Sequence, residues 1–332
     1  MIYAGIFLRG GRGTGRGAAR TLLFMRGITG DKEQEQMTRQ KLLILILSVI
    51  LLVAAPVSAQ TLDDQLTWND YFIAQQFSMF PRDARYDTFM NAIAQRLNAT
   101  IVENFGEDKS ITFYVCPSRL GFNAVSFHRF IVFDSVLLDS LRYLAMGRAY
   151  YGGINTQYTE RLAAAVAKVS QARQMGQMMG NYNDTVNPFG LPSPGQLNPQ
   201  QQKEAEAIFA EMLASWMAHE GSHCMRDHMK TRLEAASRQN QNMNLMNQQQ
   251  FMNNVNTYMN AKISQEFEKD ADVHAARWLL RSGFTTEGYI MWLEFGEKLE
   301  KMMGVDNAYL RTHPKCSDRI RYIRAEAMNF RR

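Results

Sequence analysis

The sequence predicts an α+β fold, mainly helical, with a small β-sheet. Three observations carry that expectation. In "YDTFMNAIAQRLNATI" the apolar residues Phe89, Ile93 and Leu97 recur four apart, the spacing of one buried helix face. "SITFYVCP" (Ser110 to Pro117) is dense in β-branched and aromatic residues and stops at a proline, as a strand does. Asn198-Pro199 pairs a helix N-cap with proline at the first helical position. With 46% of its residues apolar, the 332-residue chain can bury a sizeable core.

The other elements follow in order. "NAVSFHRFIVFDSVLL" from Asn123 reads as two short strands meeting near His128-Arg129, then a helix over Ser135 to Met146. Residues 172–198 are rich in Gly, Pro, Asn, Gln and Met and read as an irregular insertion. The helix opening at Asn198-Pro199 carries an apolar stripe through Ile208, Phe209, Met212, Leu213, Trp216 and Met217. A second Asn/Gln/Met-rich insertion covers 237–260. Two helices follow, around Lys262 to Ser282 and Thr286 to Met303.

The N-terminal 59 residues read differently. "MTRQKLLILILSVILLVAAPVSAQ" starts at Met37 with two cations, continues in an apolar run from Leu42 to Ala55, and ends in Val57-Ser58-Ala59. That is the layout of a secretory signal peptide over 37–59. The run is shorter than the roughly 20 residues a membrane span needs, so an uncleaved anchor is the lesser expectation. Residues 1–36, Gly/Arg-rich and aperiodic, read as a spurious extension upstream of a true start at Met37. Residues 60–332 are then a single domain, periplasmic or extracellular.

Charge excludes one class of partner. Residues 1–59 hold eight basic and three acidic side chains of the chain's 37 and 32, leaving 29 of each in the remainder. A neutral domain has no field to gather nucleic acid. Three cysteines, Cys116, Cys224 and Cys316, allow at most one internal bridge; the preferred reading is three buried thiols.

"WMAHEGSHCMRDH" (Trp216 to His228) concentrates the chemistry. Residues four apart on a helix lie nearly above one another, so His219 and His223 can face one ion. Glu220 is rotated about 100° from His219, beside that ion, where it can take a proton from an attacking water. A third ligand is available in "EFEKDADVHAARWLLRSGF", where Glu268 and Asp272 stand four apart on a predicted helix. Glu268 would complete a two-His, one-Glu set holding one Zn²⁺ per chain. Asp272 would accept the spare N–H of a ligand histidine. The plainer reading of Glu266, Glu268, Asp270 and Asp272 is a solvated acidic face.

The succession H-E-x-x-H, E-x-x-A-D, "RSGF" and "THPKCSDRIRYIRAEA" resembles the HtpX/Oma-type zinc metallopeptidases, gluzincins of peptidase family M forty-eight. The resemblance runs roughly from Asp87 to Arg324. It implies a zincin-type metallopeptidase domain with the small sheet beside the active-site helix, Glu268 as the glutamate ligand and Asp272 as the family's aspartate. Its "THP…R" element falls on Thr312, His313, Pro314 and Arg319, and its "NAF" segment on Asn123 and Ala124. Asn123, His313 and Arg319 are thereby expected to line the cleft and donate to a developing oxyanion. Two departures are visible. Gly221 and Ser222 replace an apolar residue and glycine inside H-E-x-x-H, and Phe127-His128-Arg129 stands where Pro-Gly-Gly is common.

The expected function is an exported zinc metalloendopeptidase acting on misfolded or misassembled envelope proteins, with polypeptide substrates and peripheral envelope contacts as its partners. The alternative is a zinc-binding, chaperone-like module of the same fold with weak or gated proteolysis.

Overall fold

The computed structural model describes residues 62–78, 80–105, 111–117, 120–174, 189, 196–231, 234, 263–303 and 314–330. All lie in one unit, Thr61–Arg332; the other, Met1–Gln60, lies outside the described residues, and so do the segments read as signal peptide and spurious extension. The 237–260 insertion is outside them too. Among the described residues the fold is mainly helical α+β with one three-stranded sheet.

Helix α1 (Leu62–Ser78) and a short 3₁₀ turn (Ala84–Tyr86) precede α2 (Asp87–Phe105). Met90, Ile93 and Leu97 bury the inner face of α2, while Phe89 packs at its margin. The sheet comprises β1 (Thr112–Cys116), β2 (Ala124–Ser126) and β3 (Phe130–Asp134), ordered β1-β3-β2. Strand β1 runs parallel to β3 with Thr112 opposite Phe130; β2 runs antiparallel with Ala124 opposite Phe133. The β2–β3 turn falls at His128-Arg129, as the sequence suggests. Asp70 of α1 holds it by accepting the backbone N–H groups of His128 (3.0 Å) and Arg129 (2.5 Å).

Asp134 ends β3 and caps α3 (Ser135–Tyr151), its Oδ1 accepting the Val136 N–H at 2.8 Å. Helix α4 (Thr156–Gln174) runs three residues into the span read as an irregular insertion. Ala172 is buried there, so packing continues the helix beyond the point where composition turns loop-like. Helices α6 (Ile263–Arg281) and α7 (Glu287–Met303) match the two predicted segments; α8 (Cys316–Phe330) closes the chain's described part.

Helix α5 (Pro199–Met225) is the centre of the molecule. It opens with a capping box: Asn198 Oδ1 accepts the Gln201 N–H at 2.9 Å, and Gln201 Oε1 accepts the Asn198 N–H at 3.0 Å. Its first turns are exposed, but every residue from Met212 to Met225 is buried, enclosed by α2, α3, α6, α7 and β2. A helix enclosed on all sides has no solvent face, so its polar residues sit in the interior and need partners there. Helix α7 approaches α5 closely at Gly288, where a Cβ would lie 2.4 Å from the Glu211 carbonyl carbon. Trp216 and Trp292 stack across this contact with centroids 4.3 Å apart, and Trp292 Nε1 donates to Ser215 Oγ at 2.9 Å.

Cys116, Cys224 and Cys316 are all buried, and no disulfide forms among the described residues. Burial pushes the Cys224 and Cys316 thiols up, so both stay protonated.

Candidate metal centre

His219 and His223 project from the enclosed half of α5 with ring centroids 4.9 Å apart and planes nearly perpendicular. Helix α6 packs alongside and delivers Glu268 between them. Glu268 Oε2 lies 3.3 Å from His219 Nε2, and Oε1 lies 3.4 Å from His223 Nε2. All three side chains are buried, and one donor atom from each falls within 4.8 Å of the others. Donors bound to zinc at about 2.0–2.2 Å in a tetrahedron stand about 3.3–3.6 Å from one another. The two carboxylate-to-imidazole distances therefore fit a shared divalent ion, and two imidazoles with one carboxylate is a zinc donor set.

Behind each imidazole a second group fixes the ring. His219 Nδ1 lies 2.7 Å from the Tyr289 hydroxyl and 3.1 Å from Asp272 Oδ1. Tyr289 donates to the same Asp272 oxygen at 2.5 Å. Arg319 of α8 completes the group, donating to Asp272 through Nε (3.0 Å to Oδ2) and Nη2 (2.8 Å to Oδ1). Its Nη2 is also nearly equidistant from the two His219 ring nitrogens, at 3.4 and 3.3 Å, so it addresses the ring as a whole rather than one lone pair. On the other side, His223 Nδ1 lies 2.9 Å from His228 Nδ1, and His228 Nε2 lies 3.0 Å from Asp270 Oδ2. Arg226 Nε donates to that Asp270 oxygen at 2.8 Å.

Residues 205–327 match the sequence model of Peptidase family M48. That segment is similar to peptidase family M48. The match spans α5 to α8 and so contains both histidines, Glu268, Asp272, Tyr289 and Arg319. No curated protein and no solved structure matches the chain. The match supports a metallopeptidase, a hydrolase, and the segment carries a buried His-His-Glu group that could hold a metal ion.

The electrostatics of the M48 site follow from its closed packing. Burial and the Arg319 charge push the His219 imidazole down, but hydrogen bonds to Asp272 and Glu268 outweigh them and hold it up at about 9. Burial pushes Asp272 up, yet Arg319 and His219 together hold it at about 2. The two shifts share one cause, the close contact of His219 Nδ1 with Asp272 Oδ1. Burial, reinforced by the Asp272 charge, raises the Tyr289 phenol well above its usual range, which keeps it a donor.

Glu220 follows His219 on α5 and is buried at 5% exposure. Among the described residues, no hydrogen bond or ion pair engages its carboxylate. The two unusual residues inside H-E-x-x-H have packing reasons. A Cβ on Gly221 would lie 2.8 Å from the Trp278 ring, which packs against α5 there. Ser222 Oγ donates back to the Ala218 carbonyl at 2.6 Å and meets His274 Nδ1 at 2.9 Å.

The remaining sequence-predicted residues are placed as follows. Arg319 is a buried partner of Asp272. Asn123, half-buried just ahead of β2 and outside the M48 match, turns its Oδ1 to the neighbouring Ala124 N–H at 2.9 Å. His313 lies outside the described residues. Sequence reasoning missed Tyr289, His228 and the contact between Asp270 and His228. His228 stands five residues beyond His223 in the motif stretch itself, a signal that was available. Nothing local marks Tyr289, whose position depends on the close approach at Gly288.

Proposed function

We propose that the protein is an exported zinc endopeptidase that hydrolyses misfolded or misassembled envelope proteins. The observation that carries the reading is the buried convergence of His219, His223 and Glu268 with an uncommitted carboxylate, Glu220, on the same helix. His219, His223 and Glu268 would hold the zinc, which would supply Lewis acidity toward the scissile carbonyl and the attacking water. Glu220 takes the proton from the attacking water and passes it to the leaving amine. Asp272, through His219, keeps one ligand imidazole oriented. Asn123 and His313 are assigned as donors to the developing oxyanion on the family pattern, while Arg319, 1% exposed and bonded to Asp272, positions that carboxylate instead. The substrate lies extended along an edge of the small sheet, where main-chain hydrogen bonds accept many sequences.

Export rests on the signal-peptide layout of 37–59. No helix among the described residues is long and apolar enough to cross a membrane.

The test is Glu220→Gln in the full chain. The variant is expected to bind zinc like wild type and to lose casein cleavage by at least 10²-fold, the lower range of general-base contributions; wild-type cleavage is expected to stop with a chelator and return with zinc. Cleavage by the variant at the wild-type rate would remove Glu220 from its role. Wild-type protein that binds no zinc would end the reading altogether.

A further inference from the structure

The two ligand histidines are supported by unlike structures. His219 is backed by Tyr289, Asp272 and Arg319 in the interior, where the ion pair is 0% and 1% exposed. His223 is backed by a second imidazole, and its chain ends near the surface: Asp270 and Arg226 are 40% and 47% exposed. We propose that His228, oriented by Asp270, is the positioning residue for His223, setting its ring angle and its tautomer. The proposal rests on the zinc reading above.

Proton bookkeeping supports it. A neutral imidazole has one donor and one acceptor nitrogen. His223 Nε2 faces Glu268 at 3.4 Å, so the lone pair that binds metal is there and Nδ1 carries the hydrogen. The atom 2.9 Å from that Nδ1 is His228 Nδ1, which must therefore accept. Its own hydrogen is then on Nε2, and the group 3.0 Å from Nε2 is the Asp270 carboxylate, an acceptor only. Every proton in His223–His228–Asp270 has one place. Replacing His228 or Asp270 removes the acceptor that this arrangement gives the neighbouring N–H.

The backbone is shaped for this contact. Helix α5 ends at Met225 with Arg226 as its C-cap, and Asp227 adopts φ 52°, a left-handed conformation that aspartate tolerates better than most residues. The reversal returns His228 against the helix it has just left. Its ring is then held flat on Phe267 of α6, with centroids 4.5 Å apart and an interplanar angle of 27°. Asp270, three residues past Phe267, fixes the rotation about that stack. Burial pushes Asp270 up, but hydrogen bonds from Arg226 and His228 prevail and keep it ionised.

The experiment measures zinc affinity of the full chain by competition with a chromophoric chelator. The variants are His228→Ala, Asp270→Ala, Asp270→Asn and, as control, His223→Ala. Loss of an outer partner of a ligand histidine weakens metal affinity about 10–100-fold. His228→Ala is expected in that range, and Asp270→Ala toward its lower end. Asp270→Asn, which keeps an acceptor oxygen, is expected to recover most of the loss. The visible absorption of the cobalt-substituted protein is expected to shift in His228→Ala, because the ring is free to tilt. Since Asp270 is partly exposed, Asp270→Ala decides the matter even where His228→Ala does not fold. Zinc affinities of His228→Ala and Asp270→Ala within twofold of wild type, beside a His223→Ala control that loses zinc, would overturn the positioning role alone. A His223→Ala control that binds zinc like wild type would overturn the metal site and this proposal together.

Discussion

Arg319 and Asp272, 47 residues apart in sequence, meet in the interior as a two-bond pair whose carboxylate also serves His219. The pair is 1% and 0% exposed, so neither charge has water to fall back on. Removing one partner of such a pair typically costs 3–5 kcal/mol, because the other is left charged and buried. Arg319→Ala is therefore expected to lower the unfolding free energy by about 3–5 kcal/mol in urea titration. Arg319→Lys is expected to restore less than half of that, since an ammonium cannot reproduce the two-pronged contact. A loss below about 1 kcal/mol for Arg319→Ala would mean that the pair contributes no more than a surface one.

Tyr289 tests how the load on His219 is divided. Its hydroxyl is 2.7 Å from His219 Nδ1, but Asp272 Oδ1 is itself only 3.1 Å from that nitrogen. With the hydroxyl gone, the carboxylate can accept directly. Tyr289→Phe is thus expected to weaken zinc binding by about tenfold or less, whereas Asp272→Ala should fall toward the ~100-fold end. Chelator competition on both variants reads the ranking. A Tyr289→Phe loss as large as that of Asp272→Ala would show that the phenol, not the carboxylate, is the working acceptor.

What could be read from the sequence divides along a physical line. The metal-binding pair is local: two histidines four apart on one helix need no knowledge of tertiary structure. Glu268 required the further step of supposing that a second helix packs beside the first, which the family pattern supplied. The N-cap at Asn198 and the strands around Phe113 and Ile131 were equally local. Tyr289 was not, because nothing within α7 distinguishes it from a core aromatic until Gly288 brings it to α5. Asp270 misled for a related reason. It lies two residues from Glu268, 200° around an ideal helix, which reads as solvent-facing. His228, carried back by the reversal at Asp227, gives that outer face a partner. Arg319 illustrates the remaining gap. The motif located it, but only the fold shows that Asp272 already holds its guanidinium.

The glycine inside the motif gives a steric prediction. Alanine at 221 would gain about 1 kcal/mol of helix propensity, yet its Cβ would stand 2.8 and 3.0 Å from two Trp278 ring carbons. That ring is tethered by Nε1, which donates to the Leu97 carbonyl at 3.0 Å, so it has little room to yield. Overpacking of this kind costs about 1–3 kcal/mol. Gly221→Ala is expected to be net destabilising. Gly288→Ala should be worse, because there the Cβ would meet main chain of α5, at 2.4 and 2.6 Å, rather than a side chain. Urea unfolding of the two variants orders them. A Gly221→Ala protein more stable than wild type would show that Trp278 moves aside freely.

Acid should expose the Asp272 ion pair in the metal-free protein. The Asp272 carboxyl is held at about 2 by Arg319 and His219 against burial, compared with an ordinary value of 3.8. A folded-state value below the unfolded one means that the unfolded chain binds the proton more readily. The associated stability is therefore complete above the unfolded value and drains away as pH falls toward 2. His219 runs in the opposite sense. Held up at about 9, it contributes fully below its unfolded value of 6.5 and loses that contribution as pH rises through 9. At pH 5 both contributions are present. The melting-temperature gap between chelator-treated wild type and Asp272→Asn should accordingly be widest near pH 5, and narrow toward pH 2 as the wild-type carboxyl takes its proton. It should also narrow above pH 9, where His219 is neutral in both. Scanning calorimetry across that range reads the gap directly, and a gap that widens on acidification would contradict the sign of the Asp272 shift.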